Sequence, residues 1–276
     1  MKRAVLLILA VLFAPVPARA QSLWIPRDRA GSVTIEALRP GLEFVDESFA
    51  GTFFLDLRAP LQGKAWLVAE VPFALVSGDY LIFIGSSSHF SRSSPGNVYL
   101  GLETSAGDSP FFGEFGVRVP TTPSGTDLVA AETGADSDFG RFNTFYPKVF
   151  SMQGVFNART VSAGGIASRL RLGSALAVST EGGDPEVFGL YSWQTGYEGH
   201  AVRVGVAASG TVLVTEDFGN LGSRATTQLE LHGDFGAGRV RPGLDAKLPL
   251  GSAASLVSVV LGASVSVGLG SSPTSE

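Results

Sequence analysis

Side chains able to carry chemistry are scarce in this sequence. The 276 residues include no Cys, which excludes thiol nucleophiles, disulfides, iron–sulfur clusters and Cys-ligated zinc sites. Three His in the whole chain argue against a metal centre built on several of them. Asp136 and Asp138 flank Ser137, but two carboxylates at this spacing lack the further oxygen ligands that Ca²⁺ requires. We therefore expect no metal site and no cofactor.

The ionisable residues that remain alternate with apolar residues, as in β-strands that have two different faces. Every odd position from Val257 to Leu269 is apolar, and most of the even positions between them are Ser or Gly. The first pattern in the chain is the weakest, because Pro40 and Gly41 interrupt it. Patterns of this kind predict twelve strands, at 32–39, 48–60, 64–76, 96–106, 109–121, 147–162, 165–179, 186–199, 201–215, 223–237, 239–250 and 254–269.

The N-terminus has the features of a secretory signal peptide. Lys2 and Arg3 precede an apolar run from Ala4 to Ala14, and Ala18-Arg19-Ala20 is the small-x-small pattern that a signal peptidase cleaves. We predict cleavage after residue 20, which leaves a single domain at 21–276.

The mature chain offers few architectures. The full chain's net charge of −5 gives no support to nucleic-acid binding, and its mean hydropathy of +0.26 excludes a disordered chain. After residue 20 no stretch of eighteen apolar residues provides a membrane-spanning helix. Two architectures remain for an exported chain of this kind: a soluble β-sandwich, or a β-barrel that closes on itself in an outer membrane.

The connections between the strands favour the barrel. Short turns at 61–63, 107–108 and 162–164 alternate with longer connections such as 77–95 and 122–146. Outer-membrane barrels have short periplasmic turns and longer external loops, whereas a sandwich has no reason to sort its connections in this way. The sequence therefore predicts an all-β protein, a closed antiparallel up-and-down transmembrane β-barrel of about twelve strands. Its outer face would contact outer-membrane lipid, and both termini would lie on the periplasmic side.

Aromatic residues give this prediction mixed support. Tyr191, Trp193 and Tyr197 share one face of a single predicted strand, where an interfacial girdle would hold them. Packing in a sandwich core would explain the same pattern. Outer-membrane strands commonly finish with a terminal aromatic residue, but the last predicted strand here finishes at Leu269.

The polar faces of the predicted strands would line the interior of the barrel. A twelve-stranded barrel lies between those filled by side chains and those with an open aqueous channel. The charges on these faces would filter a solute electrostatically, or they would pair across strands and hold the barrel rigid. The candidate lumen residues, in addition to Asn157, are Glu114, Arg118, Arg159, Arg169, Arg171, Arg203, Arg224, Glu230, His232, Asp234, Arg239, Arg241, Asp245 and Lys247.

The connection 122–146 is long enough to have a function of its own. Thr126 or Asp127 would cap a short helix that runs from Leu128 to Glu132, and Gly134 would end it. We expect this segment to fold into or over the mouth of the barrel and to narrow the pore. The alternative is a surface flap without effect on passage.

The segment 64–126 resembles a family of outer-membrane transporters associated with phenol and other aromatic-compound degradation pathways. The resemblance is carried by Gly96-Asn97-Val98-Tyr99-Leu100-Gly101-Leu102-Glu103 and by Phe115-Gly116-Val117-Arg118-Val119-Pro120-Thr121. The family pattern opens one strand with Gly-Asp and closes another with Pro-Thr-Gly. Here Asn97 replaces the Asp and Thr122 stands at the Gly position. The resemblance implies a barrel that passes small molecules, hydrophobic ones included, and it implies no catalytic residue.

Outer-membrane phospholipases are also twelve-stranded barrels, and their catalytic motif contains a His-x-Ser pair with a downstream Asn. His89 and Ser91 have that spacing, and Asn97 lies six residues beyond Ser91. The pair falls in a Ser-rich stretch that the sequence predicts to be a loop, and nothing local guarantees the orienting partner that a base needs. We expect the chain not to be an enzyme.

The sequence thus predicts an outer-membrane barrel that acts as a narrow channel or uptake pore for small solutes. A structural or surface-exposed barrel with a plugged lumen is the first alternative. A membrane-embedded lipid hydrolase is the second.

Overall fold

The computed structural model describes residues 31–42, 49–61, 65–83, 86–104, 110–125, 128–141, 143–215, 224–236, 238–251 and 257–269. The predicted signal peptide and its cleavage site lie outside these residues, as do the proposed helix caps at Thr126 and Asp127. Among the described residues, no helix has the length and apolar character that crossing a bilayer requires.

The described part of the chain consists of strands and one helix, α1, at Leu128–Ser137. The strands are β1 (Gly31–Leu42), β2 (Phe49–Pro60), β3 (Ala65–Phe83), β4 (Ser86–Pro95), β5 (Val98–Thr104), β6 (Phe111–Val119), β7 (Val149–Val161), β8 (Ile166–Ser179), β9 (Glu186–Glu198), β10 (Val202–Leu213), β11 (Ala225–Phe235), β12 (Val240–Leu250) and β13 (Val257–Leu269).

The strands close into an antiparallel barrel of twelve, because β4 and β5 together form one wall strand beside β3. Pro95 of β4 lies opposite Phe73, and Tyr99 of β5 lies opposite Glu70, so one extra residue is accommodated at Gly96-Asn97. β1 pairs with both β2 and β13, and this pairing joins the first strand to the last. The predicted up-and-down barrel is confirmed.

Two predicted strand limits are wrong. The connection predicted at 77–95 is mostly strand, because β3 continues to Phe83 and β4 begins at Ser86. Its Ser-rich sequence has no apolar alternation, but the backbone hydrogen bonds of a ladder require no particular side chain. The first strand likewise runs through Pro40 to Leu42, with a register shift against β13 between these two residues.

The outward faces of the strands form an apolar belt around the barrel. Ile35, Leu231, Leu244 and Leu261 are 57–61% exposed, although each is a large aliphatic side chain. The alternate positions are buried and largely polar, as with Glu230 in β11, which is 4% exposed. An apolar exterior around a polar interior is the reverse of a soluble fold, and it is the arrangement of a transmembrane barrel.

The aromatic residues singled out in β9 also face outward. Trp193 and Tyr197 are half exposed. Tyr191 lies across Gly210, and its hydroxyl group hydrogen-bonds that of Thr227 at 2.5 Å. A Cβ atom at Gly210 would lie 2.6 Å from the tyrosine oxygen, so the position requires glycine.

One residue of β13 departs from the predicted alternation. Val259 and Leu261 are exposed as predicted, but Val257 is fully buried inside the barrel. Val260 pairs with Pro40 and Val257 pairs with Leu42, so one extra residue in β13 turns Val257 inward. The prediction that all odd positions from 257 share one face is therefore wrong at its first residue.

Helix α1 is longer than predicted. It continues to Ser137 instead of ending at Gly134, and Gly134 is buried within it. A Cβ atom at Gly134 would lie 2.7 Å from the ring of Phe145, so this glycine serves close packing rather than helix termination.

Candidate functional site

The segment between β6 and β7 folds into the barrel, and we call its described residues within 128–146 the plug. α1 contacts the inner faces of β1, β2, β3 and β4. Ala131 and Phe145 of the plug are buried in one apolar cluster with Leu38, Phe54 and Val257 of the wall. The Ser137 hydroxyl group hydrogen-bonds that of Thr52 at 2.7 Å. The plug is thus packed against the wall as a core element is.

Arg141 binds the plug to the wall strands β1, β2 and β3 inside the barrel. Its guanidinium forms an ion pair with Glu36 of β1, and its Nε lies 3.0 Å from a carboxylate oxygen of Glu70 in β3. Asp56 of β2 lies 3.6 Å away, and the guanidinium carbon stacks 3.5 Å from the centre of the Phe54 ring. Burial lowers the pKa of Arg141, but the surrounding carboxylates outweigh burial and raise it well above its usual value. Arg141 is therefore a fixed cation.

Asp138 joins the plug to β11 and β12. Its carboxylate accepts hydrogen bonds from Lys247 Nζ at 2.5 Å and from Gln228 Nε2 at 2.9 Å. Gln228 Oε1 in turn accepts the backbone N–H of Phe139 at 3.0 Å. Burial raises the pKa of Asp138, but Lys247 and Arg141 outweigh it, and the pKa falls to about 2.

Asn97 lies at the break between β4 and β5 and binds the part of the plug that leads to β7. Its Nδ2 donates to the carbonyl groups of Asn143 at 2.9 Å and Tyr146 at 2.8 Å. Its Oδ1 accepts the backbone N–H groups of Thr121 and Thr122 at 3.0 and 3.1 Å. An amide with donor and acceptor suits this role, which an Asp at the same position would not fill.

Two cavities lie beside the plug, the outer one against the wall from β7 to β11 and the inner one between wall strands from β2 to β10. The outer cavity, which we call the vestibule, has a volume of about 420 Å³ and is bounded by the ends of strands next to the long connections. The inner chamber holds about 50 Å³ and is lined by Tyr99, Gln153, Ser192 and Ser209. Arg141 borders both cavities, so the tip of the plug separates them.

The structure places the predicted lumen residues on the interior faces of their strands, with two exceptions. Arg224 lies one residue before β11 and borders the vestibule. Arg239 lies in the exposed turn between β11 and β12 and does not face the lumen, because the strand begins only at Val240. Glu114, Arg118, Arg169, Glu230, His232, Asp234, Asp245 and Lys247 are less than one-tenth exposed. Arg159, Arg171, Arg203, Arg224 and Arg241 are partly buried.

Many of these charges pair across strands. Arg171 binds Glu114 at 3.0 Å, and Arg169 donates to Asn157 Oδ1 at 2.7 Å. Near the short turns, His232 Nδ1 lies 2.5 Å from Asp245.

The remaining pairs follow the same pattern. Asp234 lies 3.9 Å from both Arg203 and Arg241. Arg118 binds Glu70 at 2.8 Å, and Arg159 pairs with Glu198. The pairs occur along the depth of the barrel, which favours the stabilising interpretation of these charges over a free electrostatic filter.

His89 and Ser91 are not assembled into a catalytic site. Both lie on the exposed face of β4, whereas Asn97 is buried and its side chain is used in the hydrogen bonds to the plug and to Thr121 and Thr122. The loop predicted around them is wrong, since β4 includes both. The described residues contain no group of three or more His, Asp or Glu side chains placed to hold a metal ion.

Several interior residues were missed from the sequence. Glu36, Asp56, Arg58, Glu70 and Glu103 line the lumen from β1 to β5, where Arg58 pairs with Glu103. The alternation that identified the later strands would have placed these residues on the polar face as well. Arg141 had no such signal, because a single charge in a connection has no periodicity to assign it.

Comparison with known proteins supports the fold. Neither a protein-family model nor a curated protein sequence matches the chain. An outer membrane channel from Pseudomonas putida F1 is similar in structure, with a TM-score of 0.55, 9% identity and coverage of 86% of this chain and 94% of that one. The fold is that of an outer-membrane β-barrel.

Two further solved structures agree with this fold. LpxR from Salmonella typhimurium has a TM-score of 0.51 at 8% identity, over 86% of this chain and 100% of that one. The translocator domain of the autotransporter NalP from Neisseria meningitidis also has a TM-score of 0.51, at 11% identity, over 88% and 89% of the two chains. The predicted resemblance to outer-membrane barrels is confirmed for the fold. Proteins with different functions share this fold, so the fold alone does not identify the function of this chain.

Proposed function

We propose that this chain is an outer-membrane channel through which small solutes pass, and that the plug narrows the passage. The observation that carries the proposal is the position of the two cavities, outside and inside the tip of the plug, with Arg141 bordering both. The contacts that hold the plug lie on β1–β5 and β11–β13. The tip of the plug also meets the wall at β10, where a Cβ atom at Gly140 would lie 3.2 Å from the Ser209 hydroxyl oxygen. A solute therefore passes from the vestibule to the inner chamber only when the tip of the plug moves.

The resemblance to outer-membrane transporters of aromatic compounds supports uptake as the direction of transport. The vestibule also has apolar side chains, among them Phe139, Phe188 and Leu213, that suit a solute with a hydrophobic part. The inner chamber is more polar. A small amphipathic solute suits the vestibule better than a hydrocarbon or a sugar does, whereas the inner chamber, at about 50 Å³, admits it only if the plug shifts.

The test is single-channel conductance in planar bilayers after residues 124–140 are replaced by a short Gly-Ser linker. We expect the conductance to rise severalfold, because the segment that fills the lumen is removed while the wall strands stay intact. Heat-modifiable migration on a gel checks that the variant still forms a barrel. Unchanged conductance in a folded variant would contradict the proposal that the plug sets the width.

A structural barrel with a closed lumen is the second candidate. The burial of Arg141 among carboxylates from three strands favours it, since an interior held this firmly can also serve rigidity alone. Its signature is the absence of conductance in the wild-type chain together with conductance in the deletion variant, whose lumen has lost the plug.

A further inference from the structure

The vestibule has an unusual lining for a passage through a channel. The plug contributes Asp136, Phe139, Asn143 and Tyr146, and the wall contributes Glu186 and Phe188. Its volume of about 420 Å³ is within the range of sites that bind small molecules.

Two carboxylates of the vestibule lack a counter-charge. Neither Asp136 nor Glu186 has an ion pair or a side-chain hydrogen bond among the described residues. Burial raises the pKa of the Tyr146 phenol, and the charges of Asp136 and Glu186 raise it further. Both carboxylates therefore lie near this phenol. Lys148, close in sequence, is paired instead with Glu181.

Asn143 gives an independent indication of a ligand. The residue is only 7% exposed and its backbone has a φ of 53°, in the left-handed region. Its carbonyl group accepts the bond from Asn97, but its side-chain amide has no hydrogen-bond partner in the described part of the chain. The amide atoms are not among the fully buried unpaired polar atoms of the described residues, so the amide opens onto the vestibule that it lines and is available to a ligand there.

The other charges of the lining leave the vestibule acidic. Arg141 and Asp138 are engaged in the contacts that hold the plug. Among the described residues of the lining, Arg224 is the cation that does not take part in those contacts, against the two carboxylates of Asp136 and Glu186. Phe139, Tyr146 and Phe188 supply aromatic surfaces, which attract cations as well as apolar groups.

We propose that the vestibule is a binding site for a small organic cation, an amine whose apolar body packs against these aromatic rings. Asp136 and Glu186 bind the ammonium group, and the Asn143 amide oxygen accepts one of its hydrogen bonds. The inference rests on the proposed channel function, for which the site would capture the solute before it passes the plug.

The test uses three probes that share one body and differ in charge: phenethylamine, 2-phenylethanol and phenylacetate. Binding to the detergent-solubilised full chain is measured by isothermal titration calorimetry at pH 7. We expect the amine to bind about tenfold more tightly than the alcohol, which is the scale of a charged hydrogen bond, and phenylacetate to bind more weakly than either. Equal binding of amine and alcohol, or tighter binding of phenylacetate through Arg224, would overturn the proposal.

Variants locate the site. Asp136→Asn and Glu186→Gln should each weaken amine binding about tenfold without changing the affinity for the alcohol. Asp184→Asn is the matched control, because Asp184 is exposed, lies two residues from Glu186 and does not line the vestibule. Heat-modifiable migration verifies each variant as a folded barrel, and full amine affinity in folded Asp136→Asn and Glu186→Gln would contradict the assignment.

Conductance on the same preparation separates this inference from the proposed function. A chain that conducts ions but does not prefer the amine would overturn the site and leave the channel standing. A chain that binds the amine but never conducts would support the site and overturn the channel.

Discussion

At the scale of single residues, the molecule depends on Arg141. One guanidinium serves carboxylates on three different strands and a fourth on the plug itself. A planar group with several donors can satisfy such a ring of acceptors, which an ammonium group could not do with the same geometry. Removing one partner from a buried charge network costs about 3–5 kcal/mol, because the remaining charges stay desolvated.

Arg141→Met should therefore release the plug. We expect higher single-channel conductance and a shift towards cation selectivity, since among the described residues Asp56 would lose its cation and Glu36 and Glu70 would keep only Lys247 and Arg118, respectively. Reversal potentials in a KCl gradient measure the shift. Lys148→Gln is the control, because it breaks an exposed ion pair with Glu181 that is worth about 0–1 kcal/mol. Equal reversal potentials in the Met variant and the wild-type chain would speak against this role.

Asp138 makes the anchoring of the plug depend on pH in a defined direction. Its pKa of about 2 in the folded chain is below its ordinary value of 3.8, so the stabilisation is present above about pH 4 and is lost as pH falls towards 2. The shift corresponds to about 2 kcal/mol. We expect the open probability of Asp138→Asn at pH 7 to exceed that of the wild-type chain at pH 7. Identical gating of the two proteins at pH 7 would remove Asp138 from the anchor.

At the scale of elements, the break between β4 and β5 is where the wall binds the plug. β6 ends at Val119, and the chain leaves the wall there to enter the lumen. Asn97 lies at the irregular position of the neighbouring wall strand. From there its side chain reaches the backbone on both sides of the plug. The backbone N–H of Asn97 also donates to the plug, to the carbonyl group of Thr144 at 2.6 Å, so the irregular position gives the plug a donor that a regular ladder would use for pairing.

A disulfide between α1 and β2 should lock the plug in place. Thr52→Cys with Ser137→Cys is suitable because the two hydroxyl oxygens lie 2.7 Å apart and the natural chain has no Cys to compete. If the plug moves during conduction, oxidation should lower the open probability and reduction should restore it. Thr52→Cys alone is the matched control, and a redox-insensitive double variant with the disulfide verified by mass would show that the plug stays fixed while solutes pass.

At the scale of the whole molecule, the distribution of polarity is inverted relative to a soluble protein. Large aliphatic residues are exposed on strands all around the barrel, whereas Glu, Asp, Lys and Arg are buried inside. In water such a belt would drive aggregation, but in a bilayer it contacts acyl chains at no cost. We therefore propose the outer membrane as the location of this chain.

The position of a charge introduced on the outer face should then determine how much it destabilises the folded barrel. Leu231, at the centre of β11, is 58% exposed, and Leu269 is the last residue of β13. Leu231→Arg should destabilise the folded barrel in lipid by about 2–4 kcal/mol, and Leu269→Arg, at the rim, by about 0–1 kcal/mol. Urea unfolding in phospholipid vesicles measures both. Equal costs at the two positions would argue against a bilayer around this belt.

Most of the fold was predictable because its signal is local. Alternation with period two identified the wall strands and placed Glu230, Asp245 and Lys247 inside. The signal failed at Ser86–Pro95, where most side chains are small and polar and only backbone pairing with β3 defines the strand. It also failed at Val257, because one extra residue in a strand reverses every side chain before it.

The sequence by itself determined the barrel, since closing these strands is the way to expose one face to lipid and to satisfy every backbone group. The site was decided only by tertiary structure. Arg141 and Glu36 are 105 residues apart in the chain, and the vestibule exists only where the plug meets the wall. No local pattern encodes such a meeting, because it depends on how a connection packs within a lumen that forms only when the strands close.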